Sequence, residues 1–305
     1  MYIEELYQSV AEGNYRALAR AITIVENELE GHEQLLKMLT FHNTAPVIGV
    51  TGPPGAGKSS LVNAMINVLL HQNAKIAIIA VDPTSPFNYG ALLGDRIRLS
   101  QHFNNPDIYI RSLATRGSLG GLSDKIIEVI DVVRNAPFDY IFVETVGVGQ
   151  SEVEIAGLAD TTIVVMVPEA GDDIQTMKSG IMEIADIFVV NIADRENADA
   201  FAYNLSKMLH EKPMSNWNVP VIKTVAKNNM AVTGIDELIR QVQLHRQNMQ
   251  DNPKKAYLLA QKALHLIQKQ RMKDIDRYQL TQQIAQQLAQ HTNFNLYRFI
   301  EAFQH

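Results

Sequence analysis

The stretch "VIGVTGPPGAGKSSLVNAMI", residues 47–66, decides the fold of this 305-residue chain. An apolar, β-branched run leads into a turn rich in glycine and proline, and an amphipathic segment follows. The turn fits the pattern G-x-x-x-x-G-K-[ST] at Gly52, Gly57, Lys58 and Ser59. The full pattern between a strand and a helix favours a phosphate-binding loop over a glycine-rich turn with a chance lysine.

Each residue type in this turn has a chemical reason. Glycines let successive backbone N–H groups point at phosphate oxygens, and the first turn of the next helix adds its positive dipole end. Lys58 can reach the β- and γ-phosphates, and the Ser59 hydroxyl can ligate Mg²⁺. The predicted nucleotide contacts of the loop are Gly52, Pro53, Pro54, Gly55, Ala56, Gly57, Lys58, Ser59 and Ser60.

Over residues 44–245, short β-branched runs alternate with amphipathic segments. Most of the runs lack polar alternation, as strands buried on both faces do. Helical patterns between them predict an α/β fold with a mainly parallel, doubly wound sheet. The seven predicted strands are 47–52, 75–82, 107–113, 140–147, 161–167, 187–194 and 219–226.

Helical patterns flank this region at both ends. The sequence predicts an N-terminal helical extension over 1–43, a nucleotide-binding domain over 44–245 and a C-terminal helical segment over 246–305. In the last segment Leu280, Ile284 and Leu288 form an apolar stripe opposite a glutamine-rich face.

Composition excludes several classes of protein. With 27 basic and 33 acidic residues the net charge is -6, whereas a nucleic-acid-binding protein usually carries an excess of positive charge. No apolar run is long enough to span a membrane, and the first residues do not resemble a signal peptide. The absence of cysteine excludes thiolate metal sites and suits a reducing cytoplasm. We therefore expect a cytoplasmic protein.

The run "NIAD", residues 191–194, suggests which base is bound. It fits N-[KT]-x-D except at Ile192. The Asp194 carboxylate can accept hydrogen bonds from both guanine donors, whereas adenine would leave it unpaired. Asn191 would connect this loop to the phosphate loop, and Ala226 lies where a further base-contacting loop follows the last strand. A strand-end turn with a polar pair is the alternative interpretation.

Acidic residues near predicted strand ends suggest a Mg²⁺ site. In "VETVGVGQSE", Glu144 would hold Mg²⁺ and the Gly147 N–H would contact the γ-phosphate. Asp82 ends the second predicted strand, and Asp95 lies in a glycine-containing loop. Either aspartate could bind a Mg²⁺ water, orient the attacking water, or cap a helix.

Five motifs in order resemble the MeaB/ArgK family, the relatives of the methylmalonic aciduria type A protein. They are "GPPGAGKSS", "VDPTSPFNYGALLGDRIRL", "TRGSLGGL", "VETVGVGQSE" and "GIMEIADIFVVNIAD", and the likeness covers residues 45–245 well. The resemblance implies a GTPase of the signal-recognition/MinD/BioD class of P-loop proteins. It further implies that the GTPase is a chaperone of a cobalamin-dependent acyl-CoA mutase such as methylmalonyl-CoA mutase. This chaperone would gate the delivery of adenosylcobalamin and protect the mutase from inactivation.

The resemblance also assigns roles to particular residues. It places Asp82 and Glu144 in the Mg²⁺ shell, and Asp95, with Lys58 and Glu144, in catalysis. It implies a third switch over 168–180, although a loop-to-helix junction would explain the same residues, and a homodimer formed through the C-terminal helices. The chain departs from the family at Ile192, where the family has lysine, and in its glutamine-rich C-terminal segment.

Three other functions are alternatives to this one. A nickel-insertion GTPase would need histidine-rich or cysteine motifs, which this chain lacks. The family's older description as a transport-associated protein kinase has no kinase signature here, although sequence does not exclude phosphotransfer to a protein. A nucleotide-gated scaffold with slow turnover is the non-enzymatic alternative.

Overall fold

The computed structural model gives two compact units, Met1–Asn252 and Pro253–His305. It describes residues 2–40, 45–82, 99–114, 125–145, 155–169, 181–210, 217–226, 233–249, 254–272, 274–290 and 294–303.

Within those residues, seven strands form one parallel sheet in the first unit. The strand order is β3-β2-β4-β1-β5-β6-β7. The predicted α/β fold with a doubly wound parallel sheet is therefore confirmed. The strands are β1 (Val47–Thr51), β2 (Ile76–Asp82), β3 (Ile108–Ala114), β4 (Tyr140–Thr145), β5 (Thr161–Met166), β6 (Ile187–Val190) and β7 (Val221–Lys223).

Helices cover both faces of this sheet. Neighbouring residues of a strand point to opposite faces, so Val47 and Ile141 pack in one apolar cluster while Ile48 and Phe142 pack in another. The described α-helices of the first unit are α1 (Ile3–Ala11), α2 (Tyr15–Glu26), α3 (His32–Met38), α4 (Lys58–His71), α5 (Ile126–Val133), α6 (Ile181–Ile184), α7 (Ala198–His210) and α8 (Ile235–Met249).

The N-terminal helices belong to the core of the first unit. Leu18 and Val25 of α2 are fully buried in the cluster that also contains Val47 of β1. Arg111 of β3 donates to Glu26 of α2 over 2.8 Å. The predicted helical extension thus shares its core with the sheet.

Three aspartates at the amino edge of the sheet bind backbone N–H groups. Each aspartate lies immediately before a strand, and its carboxylate accepts a hydrogen bond from a backbone N–H group at or next to the start of a neighbouring strand. Asp139 accepts from Lys75 N at 2.8 Å, and Asp160 accepts from Val47 N at 2.8 Å. Asp186 accepts from Thr162 N at 2.9 Å. These carboxylates satisfy donors that the parallel ladder leaves unpaired.

The second unit consists of helices as far as it is described. They are α9 (Lys254–Arg271), α10 (Arg277–Gln290) and α11 (Leu296–Ala302). Several large apolar side chains of this unit are exposed, among them Ile267, Leu288 and Ile300. Within the described part of the whole chain, every helix is too short or too polar to cross a membrane.

Candidate functional site

The candidate site lies at the carboxyl edge of the sheet, where β1 turns into α4. β1 is flanked by β4 on one side and β5 on the other. Ligands of open parallel sheets bind beyond the carboxyl ends of the strands, where connections leave in opposite directions. The phosphate loop predicted from the sequence stands at that point.

Two glycines of the loop are required by close contacts. Gly52 has a φ of 140°, and a Cβ there would collide with the carbonyl oxygen of Val165 in β5. Gly57 has a φ of 80°, and its Cβ would lie 2.5 Å from Nδ2 of Asn191. By contrast, a Cβ on Gly55 would meet nothing within 4 Å. The loop is therefore packed against β5 and Asn191 on its inner side and open at Gly55.

Lys58 is buried beneath the loop at the start of α4. Its side chain is only 8% exposed, and Nζ donates to the carbonyl oxygens of Gly52 at 2.9 Å and Pro53 at 3.0 Å. An ammonium group held by neutral carbonyls gains from exchanging them for phosphate oxygens, because the acceptor is then ionised as well as the donor. The geometry fits a phosphate-binding lysine.

Ser59 and Glu144 meet beside the loop. The Ser59 hydroxyl donates to Oε1 of Glu144 over 2.5 Å. Glu144 is 3% exposed near the carboxyl end of β4, where it pairs in register with Val50 of β1. A hydroxyl and a carboxylate oxygen in contact are the hard ligands that Mg²⁺ prefers, so these residues fit a Mg²⁺ site.

The structure describes only some of the other residues predicted for the Mg²⁺ shell and for catalysis. Asp82 is the last residue of β2, two positions beyond Ala80, which pairs with Glu144. Its backbone therefore lies at the same edge of the sheet as Glu144. Asp95, Gly147 and residues 170–180 of the predicted third switch lie outside the described residues.

Asn191 joins the turn at residues 191–194 to the phosphate loop. Its Nδ2 donates to Ala56 O at 3.0 Å and to Gly57 O at 3.4 Å, and the side chain is 1% exposed. Its Oδ1 accepts from the hydroxyl of Thr224 at 3.0 Å. Thr224 holds the amide in the orientation that reaches the phosphate loop. This role of Thr224 was not predicted from the sequence, where its signal is a threonine directly after the last strand.

The residues after Asn191 form an exposed turn. Ile192 has a φ of 56°, an unfavourable conformation for a β-branched residue. Asp194 is exposed, and Ala226 is half-buried beyond β7. The Asp194 carboxylate is thus accessible to a base, and Ile192 holds the turn in a strained conformation.

An ion pair connects this turn to the end of β5. Arg195 Nη1 lies 2.5 Å from Oε1 of Glu169, and both side chains are about half exposed. The hydrogen bond from Arg195 lowers the pKa of Glu169. Because the pair is exposed, it adds little to stability.

A phosphate loop with a buried lysine, a Ser–Glu pair and an N-x-x-D turn on a parallel sheet defines a P-loop nucleotide-binding protein of the GTPase class. Residues 18–284 match the family described as "Methylmalonyl Co-A mutase-associated GTPase MeaB". The chain therefore belongs to the MeaB family, as the motifs predicted.

Individual relatives agree with this assignment. A protein of Pyrococcus abyssi named as a GTPase is 48% identical over 250 residues, covering 80% of this chain and 76% of the relative. "GTPase ArgK" of Escherichia coli is 34% identical and covers 77% and 73% of the two chains. The mouse "Methylmalonic aciduria type A homolog, mitochondrial" is 31% identical and covers 79% and 63%.

A solved structure has the same fold over nearly the whole chain. The crystal structure of a "LAO/AO transport system kinase" is similar with a TM-score of 0.71 and 25% sequence identity, and the match covers 98% of each chain.

Proposed function

We propose that this protein is a Mg²⁺-dependent GTPase that acts as a chaperone for a cobalamin-dependent acyl-CoA mutase of the methylmalonyl-CoA mutase type. It gates delivery of adenosylcobalamin and protects the mutase from inactivation. The observation that carries the proposal is membership of the mutase-associated family together with a complete phosphate loop. The name of the mouse relative supports the same metabolic role.

The phosphate side of the site accounts for nucleotide binding. Lys58 exchanges the carbonyls of Gly52 and Pro53 for β- and γ-phosphate oxygens, and N–H groups of the loop and of the first turn of α4 surround the phosphates. Ser59 and Glu144 would hold Mg²⁺. When bound, that ion neutralises charge on the phosphate oxygens.

The base side accounts for guanine selection. Asn191 ties the turn to the phosphate loop, which fixes the distance between phosphate and base. Asp194 then accepts from two guanine donors, and adenine offers neither. Ile192 replaces the lysine of the family and contributes aliphatic surface beside the base. Catalysis further involves Asp95, and Gly147 serves the γ-phosphate.

The partner of the protein is the mutase, and the protein itself forms a homodimer through the C-terminal helices. Exposed apolar residues on α9, α10 and α11, including Ile267, Leu288 and Ile300, support a contact surface on the second unit.

The proposed function is tested by GTP hydrolysis with and without a methylmalonyl-CoA mutase. We expect Mg²⁺-dependent release of phosphate from GTP that the mutase accelerates, and a longer active lifetime of the mutase when the GTPase and GTP are both present. Lys58→Ala serves as the control, because it weakens nucleotide binding in an otherwise identical protein. Equal mutase lifetime with wild type and Lys58→Ala would overturn the chaperone role.

The likeness to a transport system kinase favours one second candidate, phosphotransfer to a protein. A single-turnover reaction with γ-labelled GTP separates the two functions. A GTPase releases the label as free phosphate, whereas a kinase leaves it on a protein. Label retained on an added protein at stoichiometric yield would replace the proposed function.

A further inference from the structure

A buried polar cluster lies at the amino edge of the sheet, opposite the nucleotide site. Nδ1 of His245 in α8 is 2.8 Å from the hydroxyl of Thr161, and Nε2 is 3.3 Å from Oδ1 of Asp186. Trp217 donates from Nε1 to the Asp186 carbonyl at 2.7 Å, and its ring lies edge-on to His245 with centroids 4.8 Å apart.

The cluster has the residue types of a nucleophilic triad but not the access. Thr161 is fully buried, His245 is 1% exposed and Asp186 is 7% exposed. No substrate can reach a hydroxyl in that position, so hydrolytic chemistry is excluded. Burial of three polar groups is tolerated only when they satisfy one another, as these do. Such a network specifies one arrangement of the elements that it joins.

The elements joined at this edge meet again at the base side of the nucleotide site. β5 begins at Thr161 and ends at Met166, whose carbonyl accepts from Asn191 N at 2.8 Å. β6 begins directly after Asp186 and leads to Asn191.

β7 and α8 likewise connect the His245 cluster with the residues around Asn191. Trp217 precedes β7, which leads to Thr224, the residue that holds the Asn191 side chain. α8 begins at Ile235, close after Thr233, which bridges back to Val225 beside Ala226. Four segments are therefore joined at the amino edge by His245 and its partners, and at the carboxyl edge by contacts around Asn191 and Thr224.

We propose that His245 is a positioning residue for guanine-nucleotide binding, which acts by fixing β5, β6 and α8 relative to one another. This inference rests on the proposed function. Close-packed interiors transmit displacements, so loss of the cluster shifts the carboxyl ends of the same elements. The phosphate loop also packs against β5 and Asn191, but it is less affected, because the contacts of Lys58 with its carbonyls lie within a short segment between β1 and α4.

Trp217 supplies a spectroscopic signal for this coupling. It is the only tryptophan of the chain, and it contacts both His245 and Asp186. Occupation of the base side should therefore change its emission, although the nucleotide binds at the opposite edge of the sheet. Inorganic pyrophosphate, which fills the phosphate loop alone, should change the emission much less.

The test compares GDP with inorganic pyrophosphate by calorimetry in the presence of Mg²⁺. His245→Leu should raise the Kd of GDP by roughly tenfold and that of pyrophosphate by less than about twofold. The GDP-induced change in Trp217 emission should disappear in the same variant. His245→Gln, which retains a donor and an acceptor, should recover most of the GDP affinity. His210→Leu, at an exposed histidine of α7, is the matched control and should behave as wild type.

Each outcome decides the question. Unchanged GDP affinity in folded His245→Leu, or equal weakening of both ligands, overturns the positioning role. If His245→Leu does not fold, Thr161→Val, which removes only the hydroxyl, is used to compare the affinities for GDP and pyrophosphate in the same way. A wild type that binds GDP no better than pyrophosphate overturns the guanine-nucleotide function itself. Tight GDP binding in wild type with unchanged variants overturns only the role of His245.

Discussion

At the amino edge of the sheet, Asp139, Asp160 and Asp186 bind the chain's own backbone N–H groups at 2.8–2.9 Å. At the carboxyl edge, Lys58 and Ser59 bind groups that a nucleotide and a metal ion can replace. Both edges contain charged side chains with partners. The difference is that the amino edge holds pairs between fixed groups, whereas the carboxyl edge holds pairs that a stronger ligand can exchange.

This difference predicts two classes of mutational effect. Removing Asp139 or Asp160, which lie outside the His245 cluster, leaves a backbone donor without its acceptor and lowers stability. Removing a group at the carboxyl edge leaves the fold intact and lowers affinity or turnover. The variants below separate these effects, beginning with the largest.

Lys58→Ala should show the largest effect on binding. It removes charge-assisted hydrogen bonds to phosphate, worth about 1.5–3 kcal/mol, so GTP and GDP affinity should fall by up to roughly 100-fold. The melting temperature should stay close to wild type, since the ammonium packs against carbonyls rather than a core. Calorimetry measures the affinity. Lys75→Ala, an exposed lysine at the amino edge, is the control, and unchanged GTP affinity in Lys58→Ala would remove the lysine from the phosphate site.

Asp160→Ala should show the opposite behaviour. The change leaves Val47 N without its acceptor and Arg134 without the carboxylate it contacts at 2.6 Å. We expect the free energy of unfolding to fall by about 1–3 kcal/mol, with GDP affinity unchanged. Urea denaturation measures the free energy of unfolding, and calorimetry on the same preparation measures GDP affinity. Asp160→Asn retains an acceptor oxygen and should recover part of the loss, and a large drop in GDP affinity would contradict a purely stabilising role of Asp160.

Glu144→Ala should reduce chemistry more than binding. Loss of a carboxylate from the proposed Mg²⁺ site should lower Mg²⁺-dependent GTP hydrolysis by roughly 10- to 100-fold. GDP affinity should change little, because the phosphate contacts of Lys58 remain. Glu144→Gln can still accept from Ser59 but lacks the charge, so it separates the hydrogen bond from metal binding. Wild-type hydrolysis in Glu144→Ala at saturating GTP and Mg²⁺ would exclude the residue from the site.

Asp194→Asn should exchange one base preference for another. A carboxylate only accepts hydrogen bonds, whereas an amide offers one donor and one acceptor. The affinity of the variant for GTP should therefore fall and its affinity for XTP should rise, because xanthine presents an acceptor where guanine carries its amino group. Competition binding with GTP, ATP and XTP measures this, and equal ATP and GTP affinity in the wild type would show that the turn does not read the base.

Ile192→Lys should show the smallest effect. A straight-chain residue is no worse than isoleucine at a φ of 56°, so the turn should be retained. The added lysine stem should tighten GTP and GDP together by about two- to fivefold, without changing which base is preferred. The same competition assay checks it. A change in base preference would mean that Ile192 itself determines the conformation of Asp194.

The sequence predicted the parts of the molecule that depend on local pattern. The seven strands follow from apolar β-branched runs, and the phosphate loop follows from glycine and lysine at fixed spacing. The Thr224–Asn191 bond and the cluster around His245 could not be predicted, because their partners are 33 and 84 residues apart. The left-handed conformation of Ile192 runs against its local preference, so only tertiary context reveals it.

During synthesis, α1 and α2 leave the ribosome long before the surface that covers them. Tyr7 contacts Asn135 across 128 positions, and Glu26 contacts Arg111 across 85 positions. At about 5–20 residues per second, these partners emerge on the order of 5–25 s later. Over that interval the nascent helices expose Leu6 and Leu18, which are buried in the finished protein. The speed of translation therefore sets how long these apolar side chains wait for the residues that cover them.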